Sequence, residues 1–226
     1  MLGWESTLSW AVDEARWLMY VRGVMFAWNL GLAFVPVALA AVLFRSGARR
    51  GPIWWAGVVA FVLFLPNAAY VLTDVVHLFD DVRGGATDLA LMTVYGPVYG
   101  VFFALGLACY VVSLILLQDH LAEIVPRVPW RPVEVGIHAL VAVGIFLGRV
   151  LRFNSWDLLH SPGEVTGALP MLATRFPLLV MSFTVVVLVV LTAAARPALR
   201  ACVDRSRRTG RSIGHRDPGN ARIGIA

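Results

Sequence analysis

The sequence predicts an all-α, polytopic transmembrane helix bundle of about five spans, preceded by an N-terminal interfacial amphipathic helix. Three observations lead there. Of the 226 residues, 59% are hydrophobic and 15% charged, against roughly 45–50% and about 25% in soluble domains. The apolar residues form continuous runs near the length of about 20 residues that crosses a ~30 Å hydrocarbon core, rather than the alternation a membrane barrel needs. The net charge of +5 is carried by arginines, with no lysine, and these sit mostly in segments between the runs.

Residues 1–22 carry Glu5, Asp13, Glu14 and Arg16, too many charges for a span. A cleavable signal peptide is not expected, because a basic start is missing. Leu8, Ala11, Val12, Ala15, Leu18 and Met19 fall on one helical face. With Trp4, Trp10, Trp17 and Tyr20 close by, this reads as a helix lying in the membrane interface. The membrane domain, 23–195, then holds spans at about 23–44, at 53–72 with helix continuing to Leu78, and at 88–117, 133–153 and 176–195. Residues 196–226 are rich in Arg and Gly with little apolar periodicity, and are expected to be a mostly disordered tail.

Pro36, Pro66 and Pro97 lie inside spans and predict kinks, whereas Pro177 sits in a first turn, where proline is tolerated. Gly96, Gly100, Ala104 and Ala108 on the third span, and Gly144 and Gly148 on the fourth, recur every fourth residue. Such stripes permit close backbone approach in lipid. Cys109 falls in a span and Cys202 in the tail, too far apart for a disulfide or a zinc site.

Orientation follows from charge. Loop 45–52, loop 118–132 and the tail hold most of the 19 arginines, and five spans put all three on one side. Asp74, Asp80, Asp81, Asp88, Asp157 and Glu164 fall opposite. The basic side is expected to be cytoplasmic, with the N-terminus outside and the C-terminus inside.

Polar residues gather in three segments: Asn29–Pro36, Leu65–Leu78 (LPNAAYVLTDVVHL) and Phe146–Asp157 (FLGRVLRFNSWD). Asn67, Tyr70, Asp74 and His77 are spaced 3, 4 and 3 apart and share an arc of roughly 80° on a helix. Arg149, Arg152 and Trp156 repeat that spacing on the fourth span. Counting depth at 1.5 Å per residue places Asn29, Asn67, Tyr95 and Arg149 on one level about 10 Å or less beneath the outer surface. Asp74, His77, Asp88 and Arg152 lie just above. Asn154 and Asp157 extend the candidate ligand-binding set beyond Arg152.

An Arg in a span costs about 2.5–3.5 kcal/mol at the membrane centre and less near its edge. Arg149 can lower that cost by snorkelling to headgroups, or by facing inward to pair with Asp74, Asp88 or the Asn67 amide. Asp74 and His77 have a bland reading as helix caps in the wet interface. Their i, i+3 spacing is also that of two metal ligands, which Asp157, His160 or Asp88 would have to complete. No metal and no cofactor is expected. His138, in the inner half of the fourth span, is expected to be a packed, hydrogen-bonded neutral imidazole. Phosphate-loop, nucleophile-elbow and His-Glu-x-x-His signatures are absent. The tail lacks the aromatic or folded elements that usually accompany nucleic-acid binding.

LPNA-x-Y-x-x-TD combined with GR-x-x-R-x-NSWD, together with NLGLAFVP, resembles the bacterial membrane-protein family known as domain of unknown function 1361. The resemblance covers most of residues 25–195 and falls on Asn29, Leu65, Pro66, Asn67, Tyr70, Thr73, Asp74, His77, Gly148, Arg149, Arg152, Asn154, Ser155, Trp156 and Asp157. The chain departs from the family at Ala69, where proline is usual, at Phe153, where tryptophan is usual, and in YGPVYG of the third span. The resemblance implies a bacterial, multi-span membrane protein and implies no activity.

Two functions stay open. In one, Arg149 and Arg152 hold an anionic small molecule or lipid headgroup, and Asp74 and His77 act as base and acid or relay protons. As an enzyme, such a site would suit headgroup transfer or hydrolysis. In the other, the chain is a non-catalytic assembly subunit whose Arg–Asp pairs fix helix packing. Membrane lipid is the expected partner and nucleic acid is not, while oligomeric state is not readable. The expected location is the bacterial cytoplasmic membrane.

Overall fold

A computed structural model of the chain describes residues 4–44, 50–153, 160 and 162–214. Among them there is no strand, and five helices are long and apolar enough to cross a membrane: Leu8–Leu43, Pro52–Arg83, Asp88–Ile124, Trp130–Arg149 and Arg175–Thr209. The fold class is the one the sequence predicts, and the chain is a multi-pass membrane protein.

Helix α1 runs unbroken over Trp4–Leu43, where the sequence reading separates an interfacial helix from a span at 22–23. The only helix-weakening residue at that junction is Gly23, which costs about 1 kcal/mol and does not stop a helix. At 1.5 Å per residue α1 is about 60 Å long. Leu18, Arg22, Phe26, Asn29, Ala33, Pro36 and Ala40 recur every three or four positions and form its inward stripe. Trp17, Tyr20, Val24 and Trp28 lie exposed on another face.

Helix α2 spans Pro52–Tyr70, with Pro52 in its first turn, where the missing N–H matters least. It joins α1 tightly. The Trp54 indole N–H donates to Leu43 O at 2.9 Å, and a Cβ on Gly57 would stand 2.6 Å from Leu43 Cδ2. A 3₁₀ turn, Val71–Asp74, continues α2 directly into α3, Val75–Arg83. Gly84 and Gly85 then reverse the chain, Gly85 with a φ of 95° that a side chain would strain. Thr87 caps the short α4, Asp88–Ala90, by accepting the Ala90 N–H.

A π turn, Leu91–Tyr95, leads into α5, Gly96–Ile124. Pro97 explains it. Proline clashes with the carbonyl four residues back and donates nothing to it. The π turn instead lets the Gly96 N–H reach Leu91 O, and a Cβ at Gly96 would sit 2.8 Å from that oxygen.

Helix α6 covers Trp130–Arg149, α7 Pro162–Leu172, and α8 Arg175–Gly214. The sequence predicts a fourth span to 153, and α7 falls between the fourth and fifth expected spans, where no helix is predicted. In the bundle α1 packs on α2 and α5, α2 also on α5 and α6, and α8 on α6 and α5. The close contacts fall at glycines. A Cβ on Gly144 of α6 would meet Pro66 Cγ at 2.6 Å, and one on Gly106 of α5 would meet Val71 Cβ at 2.6 Å. Gly144 thus acts as its stripe predicts. Gly100 does not, since its Cβ would face open space.

The tail also differs from expectation, because α8 stays helical through Gly214. Ala, Leu and Arg favour helix, and Arg196, Arg200 and Arg207 fall on one face. Arg196 donates to Gln118 at 2.6 Å and pairs with Glu134. Arg200 and Arg207 both reach Asp119 at 2.6 Å.

Candidate functional site

The polar residues of α1, the α2–α3 rod and α6 meet at one point, the Asp74 carboxylate. Asp74 ends the 3₁₀ turn and its side chain is 0% exposed. Burying a carboxylate without partners is very unfavourable, so its surroundings determine whether the fold tolerates it. Asn29 of α1 donates its amide N–H to Asp74 Oδ2 at 2.6 Å. Arg149 Nη1 of α6 lies 3.3 Å from Oδ1. His77 Nε2 approaches the same Oδ1 at 3.9 Å. Oδ1 itself accepts no hydrogen bond among the described residues.

Arg149 is oriented on several sides. Its Nη1 donates to the Tyr70 hydroxyl at 3.1 Å and its Nη2 to Thr73 O at 2.8 Å. Its Cζ stands 5.1 Å from the centre of the Tyr70 ring, at cation–π distance. The packing below explains the meeting. Pro66 nests on Gly144 and Tyr70 lies against Gly148, so α6 runs close along α2 and delivers Arg149 to the 3₁₀ turn. More than a quarter of the Arg149 side chain remains exposed, at 28%.

Asn29, Tyr70, Asp74, His77 and Arg149, chosen from sequence, are thus brought together. Asn67 lies below them on α2 and donates to Phe64 O at 3.3 Å. Asp88 does not join the cluster. It is exposed in the first turn of α4, where a negative charge complements the helix dipole. Arg152 does not continue the Arg149 stripe, because α6 ends at Arg149. Val150 and Leu151 N–H both turn back to Phe146 O and Phe153 N–H to Leu147 O. Arg152 is left exposed at a φ of 60°, a left-handed conformation uncommon outside glycine. Asn154 and Asp157 lie outside the described residues.

Tyr95 also leaves the expected level. Its hydroxyl donates to Glu14 Oε1 at 3.0 Å, because the π turn changes the helical phase ahead of α5. It belongs to a second cluster that the sequence reading does not contain. Arg22 of α1 donates to Asp81 Oδ1 of α3 at 2.7 Å through Nη2, and Tyr99 of α5 donates to Oδ2 at 2.8 Å. The signal for it is one of phase: Arg22 precedes Asn29, and Asp74 precedes Asp81, by two helical turns each. The 71–83 segment is therefore held through Asp74 at one end and Asp81 at the other.

His138 is buried and its Nδ1 lies 2.7 Å from the Tyr110 hydroxyl, the packed arrangement expected. His120 is buried against Phe44 and Trp54. Among the described residues no three His, Cys, Asp or Glu side chains converge as a metal site.

The family model described as "Protein of unknown function (DUF1361)" matches residues 28–190. The chain belongs to that family. No curated protein and no solved structure matches it. The DUF1361 segment contains every residue of the Asp74 cluster. Glu14 and Arg22 precede it, so the second cluster ties the DUF1361 part to the first half of α1.

Proposed function

We propose that this DUF1361 protein holds an anionic group, a small anion or a lipid headgroup, at Arg149, near the extracytoplasmic face of a bacterial cytoplasmic membrane. The observation that carries the reading is the state of Arg149. Tyr70, Thr73 O and Asp74 orient its guanidinium while part of it stays open. A preoriented planar fork suits phosphate or carboxylate oxygens. Arg152, exposed three residues after Arg149 and in a strained backbone conformation, would add positive charge at this end of α6. Strained residues persist where surrounding structure holds them, often at functional sites.

The orientation rests on charge. Arg127, Arg131 and the arginines of α8 from Arg196 onward lie at the opposite end from the Asp74 cluster, and basic segments favour the cytoplasm. In a C202S background, a cysteine at the exposed Arg83 should react with an impermeant thiol reagent in intact cells, and one at Arg205 only after permeabilisation. The reverse pattern would invert the assignment.

Binding is tested on the purified chain in detergent by thermal unfolding with sulfate, short-chain phosphatidylglycerol or phosphatidylcholine. Phosphatidylglycerol or sulfate should raise the midpoint and phosphatidylcholine should not. R152A should weaken the shift. No shift with either anion would sink the reading.

A second reading has its own support, because Asn29, Asp74 and Arg149 link three helices. In an assembly subunit, D74R combined with R149D would restore folded protein lost in each single variant. A binding site would instead leave that exchange inactive.

A further inference from the structure

Arg149 already has a counter-charge in Asp74, and this bears on what any anion must do to bind there. An arriving anion would place two negative charges around one guanidinium in a poorly hydrated site, where like charges repel strongly. The neighbouring side chains offer a way to remove one of them. Exposure falls stepwise along α3: the Asp80 side chain is 48% exposed, His77 28% and Asp74 0%. His77 Nδ1 lies 3.6 Å from Asp80 Oδ2, and its Nε2 lies 3.9 Å from Asp74 Oδ1. Both His77 Nδ1 and Asp74 Oδ1 are buried atoms without a hydrogen bond among the described residues. Both lie between the exposed Asp80 and the ion pair.

We infer that Asp80, His77 and Asp74 form a proton path that couples anion binding at Arg149 to uptake of one proton by Asp74. The inference rests on the anion site proposed above. The proton enters from solvent at Asp80 and passes to His77 Nδ1, forming an imidazolium. Loss of the Nε2 proton to Asp74 Oδ1 leaves a neutral carboxylic acid and a neutral imidazole in the other tautomer. Only N–H and O–H bonds form and break. Since 3.6 and 3.9 Å both exceed a hydrogen bond, a small rotation of His77 or a bridging water closes each gap. Neutral Asp74 keeps the Asn29 bond to Oδ2 and gives up its charge, so the anion takes over as the counter-ion of Arg149.

The other titratable groups facing this path are already engaged. Tyr70 of α2 is bound to Arg149. Tyr99 of α5 and Arg22 of α1 are both taken by Asp81, and Tyr95 of α5 by Glu14. His77 is thus the titratable group that links Asp74 to the exposed Asp80.

The test is isothermal titration of the full chain in detergent, in buffers of different ionisation enthalpy, between pH 5.5 and 8. Sulfate is the free-anion probe and dihexanoyl phosphatidylglycerol the headgroup probe, since both keep their charge over roughly this range. Either probe should bind with uptake of about one proton, and affinity should rise by up to about tenfold per pH unit of acidification. Binding of sulfate alone identifies a free anion as the ligand, and binding of the lipid alone a headgroup. Any binding that D74N retains should carry no proton uptake and no pH dependence. H77Q should slow proton uptake followed with a pH dye in stopped flow. Wild-type binding with no proton uptake overturns the coupling and leaves the anion site standing. An unchanged rate in H77Q overturns the path. Failure of both probes to bind the wild type at any pH removes the anion site itself.

Discussion

Arg149 Nη1 stands 3.3 Å from Asp74 Oδ1 because Gly144, about one and a half turns earlier on α6, admits Pro66 of α2. The ion pair and the glycine contact are parts of one packed seam. The backbone approach places the charge, and the charge is tolerated because its partner is already there.

The seam predicts the effect of filling it. Gly144→Val would force its Cβ into Pro66 and should cost about 1–3 kcal/mol, lowering the thermal midpoint of the purified protein. Gly100→Ala, facing open space, should be neutral or slightly stabilising. Equal loss in both variants would show that the α2–α6 seam is not closely packed.

Removing one member of the pair should be worse than removing both. Asp74→Ala leaves Arg149 without its counter-ion and should cost about 3 kcal/mol, the low end for a broken buried pair because Arg149 is partly solvated. Asp74→Asn should cost less. In a double-mutant cycle, Asp74→Ala with Arg149→Ala should show a coupling of about 0.5–3 kcal/mol. Additive losses in denaturation midpoints would mean the two residues do not interact.

Asp81 should control α3 locally. In Asp81→Ala, Arg22 and Tyr99 lose their acceptor, and amide exchange over 75–83 should accelerate while 52–70 stays protected. Tyr99→Phe removes a single hydrogen bond and should act in the same direction, by about 1 kcal/mol. Exchange that rises uniformly along the whole rod would contradict a local clamp.

At the other end, Asp119→Ala should loosen the end of α8. Both Arg200 and Arg207 rest on that carboxylate. These pairs are partly exposed and worth at most about 1 kcal/mol. Global stability should barely change, while tryptic cleavage near Arg205–Arg208 should quicken. High salt should produce the same cleavage in wild type.

Much of the Asp74 cluster is legible in the sequence, because a polar residue inside an apolar run is conspicuous and helical periodicity assigns it a face. Asn29, Tyr70, Asp74, His77 and Arg149 were found that way. Arg22 escaped notice because residues 1–22 read as an interfacial helix, although Arg22 shares the inward stripe of α1 with Leu18 and Phe26. Depth counted along an ideal helix misplaces Tyr95, because the π turn before Pro97 breaks that count. Helical spacing puts Arg152 on the Arg149 face only if α6 continues, and α6 ends at Arg149. No single residue in that stretch announces that the helix stops at Arg149.

Apolar run length alone predicts about five membrane spans, and helical periodicity alone predicts that Asn29, Tyr70, Asp74, His77 and Arg149 gather near one level. Both follow from one-dimensional quantities, the length of apolar runs and the period of a helix. Only the tertiary structure decided who pairs with whom. Pairing depends on how closely two backbones approach, here at Gly144 and Gly106, and on local changes of helical register such as the 3₁₀ turn at 71–74 and the π turn at 91–95. Those changes arise from proline sterics and inter-helix packing, and a change of register by one residue turns a side chain through about 100°.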